Sequence, residues 1–169
     1  TGTLRLQIRR VDLSALVESV VDMYQYVAEE KTITIHLDLP GKIEWELDPE
    51  RISQALANLV DNAVKYTSHG GHVDLRVMPE AGRVRIQVED NGPGLDPSEI
   101  EHLWERLFRG RQATQKGIGL GLSLVRAIVQ AHGGTVSARP ADSGGALFEL
   151  VLPDPTSQAD KSATNLTET

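Results

Sequence analysis

Two runs of strict alternation stand back to back in the middle of the chain, and they constrain its fold more than any other feature. HVDLRVMP sets Val73, Leu75 and Val77 on one side of an extended segment, and RVRIQVED does the same with Val84, Ile86 and Val88. Side chains alternate faces along a strand, so each run reads as a half-buried strand, and Glu80-Ala81-Gly82 between them reads as a hairpin turn. A doubly wound parallel sheet needs a helix after nearly every strand, and the order of elements here lacks them.

The flanking segments complete that order. Residues 1–10 are short and basic and read as the remnant of a linker. Asp12 is placed to cap a helix over DLSALVESVVDMYQYVAEEK, in which Leu13, Leu16, Val17, Val20, Val21 and Tyr24 recur at three-and-four spacing. TITIHLDLP alternates through Ile33, Ile35 and Leu37 as a strand, and KIEWEL predicts a second. Asp48 then caps a long amphipathic helix from Pro49 to Tyr66, with proline at the first helical position. After the hairpin, PSEIEHLWERLF predicts a short helix and RGRQATQKGIGLG a mobile basic loop. LSLVRAIVQAH is a further amphipathic helix, stopped by Gly133-Gly134, and TVSAR and ALFELVL form a closing strand pair. The fold class expected is α/β: a two-layer sandwich of a mixed, mainly antiparallel sheet with helices packed on one face. One domain is expected over residues 11–152, followed by a polar, disordered tail over 153–169.

Bulk properties exclude several classes of function. Seventeen basic against 24 acidic residues give a net charge of -7, which argues against a nucleic-acid binder. The absence of cysteine excludes disulfides, thiolate metal sites and a thiol nucleophile. No apolar run approaches the ~20 residues of a membrane span. The chain opens at Thr1 rather than Met, so a piece of a longer protein is expected.

Four segments carry chemistry. In NLVDNAVKY, Asn58, Asn62 and Lys65 fall on one polar strip of the long helix. An asparagine carbonyl is a neutral, hard ligand for Mg²⁺ that does not repel phosphates, although this segment alone reads rather as a solvated helix face. In DNGPGL, Asp90 emerges at a strand end, where its carboxylate can accept from an exocyclic amine such as that of adenine. Gly92 and Gly94 free the backbone beside it; an ordinary Asx-turn is the alternative. In KGIGLGLSLV, Gly117, Gly119 and Gly121 lead into a helix and expose N–H groups that can cradle phosphate. No strand precedes them, so they are not a Rossmann turn, and no P-loop motif occurs. In LWERLFRGR, Leu103, Leu107 and Phe108 are expected to dock while Arg106, Arg109 and Arg111 stay free for phosphate.

In this order the four segments resemble the sensor histidine kinases, which share an ATPase superfamily (GHKL) with gyrase and the ninety-kilodalton heat-shock chaperones. The resemblance covers about residues 11–152: NLVDNAVKYT looks like the N box, DNGPGL the G1 box, LWERLFRG the F box and GIGLGLSLV the G2 box. AHGGTV, with His132, is similar to the segment after the last helix of that family. The resemblance implies a Bergerat-type ATP-binding fold with ATP and Mg²⁺ as ligands. Asn62 would coordinate Mg²⁺ with help from Asn58, Lys65 would approach the phosphates, and Tyr66 would lie near the adenosine. Asp90 would bind the adenine amine between Gly92 and Gly94. Arg109 would reach the γ-phosphate from a lid over about 95–116, while Gly117, Gly119, Leu120, Gly121 and Leu122 would line the phosphate chain. Three positions depart from the family pattern: Lys116 and Ile118 replace a glycine and a hydroxyl residue, and Leu107 replaces a phenylalanine.

The resemblance also implies transfer of the γ-phosphoryl group to a histidine on a separate helical hairpin, and indirectly a response regulator as partner. None of His36, His69, His72, His102 and His132 sits in an acceptor-like motif, so the acceptor is expected on another part of a longer kinase. The isolated fragment is expected to be monomeric and cytoplasmic, its parent membrane-anchored. Asn58 stands where serine-phosphorylating and ATP-hydrolysing relatives carry a glutamate base, and asparagine cannot remove a proton. Those enzymes, and a non-catalytic nucleotide-binding module, are the alternatives.

Overall fold

The computed structural model describes residues 4–105 and 121–156. Its centre is the hairpin read from the alternation: β4 (His72–Glu80) and β5 (Arg83–Asp90) pair antiparallel, with Val77 opposite Ile86 and Val73 opposite Asp90. Around it a five-stranded sheet runs in the order β2-β4-β5-β7-β6, with β2 at Thr34–Asp38, β6 at Thr135–Pro140 and β7 at Ala146–Pro153. Only β2 pairs parallel, with β4; the other three pairings are antiparallel.

Helices cover one face. On that face Val73, Leu75, Val77, Val84, Ile86, Val88, Leu150 and Leu152 are buried against α1 (Leu13–Asp22), α3 (Pro49–Tyr66) and α4 (Gly121–Ala131). The core is aliphatic, and Trp104 closes one side of it with an edge-on contact to Phe148 at a centroid distance of 5.8 Å. The opposite face is polar. There Arg85 and Gln87 converge on Glu149, at 3.3 and 2.7 Å, and Arg76 faces Glu89 at 3.7 Å.

The caps match their sequence signals. The Asp12 carboxylate accepts from the Ser14 and Ala15 N–H groups, and Asp48 accepts from those of Glu50 and Arg51 with Pro49 at the first turn of α3. Three features differ from expectation. The helix read over 12–31 is two, α1 and α2 (Gln25–Glu30), because the chain turns at Met23 and Tyr24, whose N–H groups bond back to Val20 and Val21. Arg9–Asp12, whose first two residues fall in the expected linker remnant, is β1, and it pairs antiparallel with β3 (Glu44–Leu47). KIEWEL therefore joins β1 in a separate two-stranded sheet rather than the main one. Of the short helix read over PSEIEHLWERLF, a 3-10 turn at Ile100–His102 lies within the described residues. The glycine-rich loop before Gly121 and the tail from residue 157 fall outside them.

Candidate functional site

The long helix α3 brings Asn58, Asn62 and Lys65 to one strip because its buried stripe is fixed by Ile52, Ala55, Leu56, Leu59, Val60, Ala63 and Val64. With those seven residues turned into the core, both asparagines are half-exposed and Lys65 is exposed. The Lys65 ammonium lies 2.7 Å from the Asp61 carboxylate, one turn earlier, and this hydrogen bond raises its pKa above the ordinary lysine value. Asn58 points at the start of α4. Its side-chain Nδ2–H donates to the Gly121 carbonyl at 3.4 Å, which leaves the amide oxygen as its available ligand atom. Gly121 and Leu122 therefore sit beside the asparagine strip at the first turn of α4, with Leu122 packed on the core.

Asp90 ends the central strand β5 and is only 6% exposed. One carboxylate oxygen, Oδ1, accepts from the Gly92 N–H at 2.9 Å and the Ala146 N–H at 3.3 Å. The other, Oδ2, has no hydrogen-bond partner among the described residues. Burial pushes the Asp90 carboxyl above the ordinary carboxylate range, against the opposing pull of those two backbone donors. Main chain walls this acid in closely. A Cβ on Gly145 would stand 1.9 Å from the Asp90 carbonyl oxygen, and one on Gly92 would stand 2.9 Å from the Tyr66 carbonyl. Gly94 combines a left-handed φ of +85° with a Cβ position 2.7 Å from the Gly144 carbonyl, so a side chain is excluded there twice over.

Thus the C-terminal end of α3 (Tyr66, Thr67), the end of β5 (Asp90) and the turn into β7 (Ser143–Ala146) meet around one buried carboxylate. Thr67 is 1% exposed and its hydroxyl has no partner, a second polar atom in this region awaiting one. Thr67, Ser143, Gly145 and Ala146 escaped the sequence reading; only the Gly144-Gly145 pair ahead of a strand hinted at a close approach. In the aromatic segment the buried anchor is Trp104, with Leu103 half-buried beside it. Arg106, Leu107, Phe108, Arg109, Arg111, Lys116, Gly117, Ile118, Gly119 and Leu120 lie outside the described residues.

His132 is built into the scaffold. Its Nδ1 faces the Ile128 carbonyl at 2.8 Å and its Nε2 lies 3.0 Å from the Asp48 nitrogen. Since the Asp48 N–H must donate, Nε2 accepts and the proton resides on Nδ1.

Comparison with known proteins identifies the family and the fold. Residues 47–156 match the family model described as Histidine kinase-, DNA gyrase B-, and HSP90-like ATPase. The chain is 37% identical over 153 residues to the sensor histidine kinase TmoS of Ectopseudomonas mendocina, covering 88% of this chain and 16% of that protein. It is 33% identical to the adaptive-response sensory kinase SasA of Rippkaea orientalis, covering 90% of this chain and 40% of that one. The chain thus spans less than half the length of these relatives. Among solved structures, the catalytic domain of histidine kinase ThkA superposes with a TM-score of 0.80 at 26% identity, covering 88% of this chain and 99% of that one. Full-length ShkA in complex with AMPPNP gives 0.81 at 31% identity, covering 91% and 32%.

Proposed function

Because the chain belongs to the histidine kinase-, DNA gyrase B- and HSP90-like ATPase family, as an ATP-binding domain of the sensor histidine kinase type, we propose that it binds Mg-ATP and donates the γ-phosphoryl group to a histidine on a separate phosphoacceptor hairpin. The observation that carries the reading is the half-engaged carboxylate of Asp90. One oxygen is tied by two backbone N–H groups and the other is left to accept from an adenine amine.

The other residues fall in order around that anchor. Gly92, Gly94 and Tyr66 flank the adenine end, while Lys65, Gly121 and Leu122 lie toward the phosphates. Asn58 and Asn62 offer two neutral amide oxygens a helical turn apart, a donor set that suits Mg²⁺, which keeps several waters and takes few protein ligands beside substrate phosphates. The ion, when bound, neutralises charge on the phosphate oxygens. Arg109, Gly117, Gly119 and Leu120 complete the phosphate side on the strength of the sequence resemblance. The protein's contribution is positioning and electrostatics, since phosphoryl transfer asks little covalent chemistry of it.

Transfer to histidine, rather than to water or serine, rests on Asn58, which offers no base to either acceptor. Asp61, the carboxylate on the same strip, is held by Lys65. The hairpin, and a response regulator beyond it, are partners outside this chain. No helix among the described residues is long and apolar enough to cross a membrane; a domain that uses ATP is proposed to work in the cytoplasm. Calorimetry of the folded chain with ATP, with and without Mg²⁺, tests the reading. Heat of binding that depends on Mg²⁺ is expected, and a folded sample that gives none overturns it.

A further inference from the structure

The site helix α3 ends in an unusual way. The last four carbonyls of any helix lack an intrahelical partner, and a glycine in left-handed conformation commonly turns the chain back to satisfy them. Here Thr67 follows in an extended conformation, with ψ at 133°, so the chain runs straight on into the wall beside Asp90. The missing donors come from elsewhere. Lys31, in the turn between α2 and β2, places its ammonium 2.6 Å from the Val64 carbonyl, 3.1 Å from that of Lys65 and 2.9 Å from that of Thr67. An ammonium has three protons, and these carbonyls engage all of them. Its positive charge also lies at the negative end of the helix dipole.

The turn that delivers Lys31 is zipped to the same segment by main chain. The Lys31 carbonyl accepts from the Gly70 N–H at 3.1 Å, and the Thr34 N–H donates to Gly71 at 3.1 Å. Thr32, beside it, has a φ of 53°, the single left-handed residue other than glycine among those described. A β-branched residue adopts that conformation only when its surroundings impose it. From Thr67 the contact continues inward: the Cβ position of Gly92 lies 3.4 Å from the Thr67 Cα and 3.1 Å from the Asp90 Oδ1.

We propose that Lys31 is a positioning residue for the nucleotide site, its ammonium terminating α3 so that the Tyr66–Thr67 edge stays in register with Asp90 and Gly92. The inference rests on the ATP-binding reading, since the register matters only if a nucleotide is held there. Lys31 itself touches no nucleotide.

Lys31→Met keeps the aliphatic stem and removes all three donors. Its ADP affinity should fall about tenfold when measured by calorimetry at a temperature where both proteins are folded, the scale of one lost charge-assisted anchor. The Gly70 and Thr67 amides should exchange with solvent faster, because their segment has lost its tether. A purely structural role would lower the melting temperature and leave the ADP affinity of the folded protein within twofold, and that result overturns the proposal. If the variant does not fold, the wild type decides: Mg-ADP should slow exchange of the Lys31 ammonium protons in nitrogen-detected spectra, and an unchanged rate overturns the proposal equally. A wild type that binds no ADP would overturn the ATP-binding reading instead, and the amide exchange of Lys31→Met would still show whether Lys31 holds the segment.

Discussion

His132 accepts a hydrogen bond from the main chain of Asp48, a residue 84 positions earlier, and so pins the end of α4 to the start of α3. The start of α4 also meets the middle of α3, through Gly121 and Asn58. One tie lies at the scaffold end and the other at the site.

His132→Ala is therefore expected to cost about 1–3 kcal/mol of stability, the penalty for leaving a largely buried N–H without a partner. Urea melts of both proteins check the size.

Asp90→Asn should weaken adenine nucleotides by about 1.5–3 kcal/mol and blur the preference for ATP over GTP, because a charge-assisted acceptor becomes a neutral amide. Stability should move the other way. The folded carboxyl titrates above its ordinary value because it is buried. A raised acid pKa means that the folded state holds its proton longer, so this group costs stability progressively as pH rises through the window between the unfolded and folded values, and fully above it. The variant lacks that cost and should melt no lower than wild type at neutral pH, with a steeper acid limb, because the carboxyl that gains stability on protonation is gone. Unchanged nucleotide selectivity would remove Asp90 from the site.

Legibility followed the range of the interactions involved. The hairpin, both aspartate caps and the asparagine strip are written in residues a few positions apart, and the alternation of Val73 to Val88 could be read directly. The break at Met23 carries no glycine or proline to announce it. β1 has only four residues, too few for a pattern, and exists because β3 offers it an edge. Asp90 was legible as a candidate because glycines follow it; the Gly145 wall and the Lys31 tether were not, since each depends on segments brought together only by the sheet.

Gly145→Ala should be severe. A methyl group 1.9 Å from the Asp90 carbonyl must displace either strand β7 or the acid itself. Overpacking of this kind costs typically 1–3 kcal/mol, and more against rigid backbone. Thermal melts and ADP titration should both show losses, whereas Gly144→Ala, with open space around it, should suffer only from its φ of +96°.

Removing Mg²⁺ with a chelator should weaken ATP binding markedly in the wild type and little in Asn62→Ala, because the variant has already lost a proposed ligand. Wild-type affinity for Mg-ATP should be no tighter than micromolar, given the entropic cost of fixing side chains and backbone around a bound nucleotide. Titrations in matched buffers, with and without the ion, measure both.

With labelled ATP the isolated chain should acquire no phosphohistidine, yet should label a supplied parental hairpin, slowly, for want of a tether to raise the effective concentration. Acid-labile label on the chain alone would implicate one of its own histidines. Acid-stable label on serine would favour the serine-kinase alternative. Rapid hydrolysis without an acceptor would show that water is activated here without a glutamate.

Asp90 sits on the middle strand of five, and its wall is completed by β7, the strand next to it. Edge strands such as β2 and β6 fray first in partial opening, whereas a central strand is released only when the whole sheet comes apart. A nucleotide gripped at that point should therefore raise the free energy of global unfolding rather than of a local segment, and the slowest-exchanging amides of the protein should be the ones that respond most to ligand.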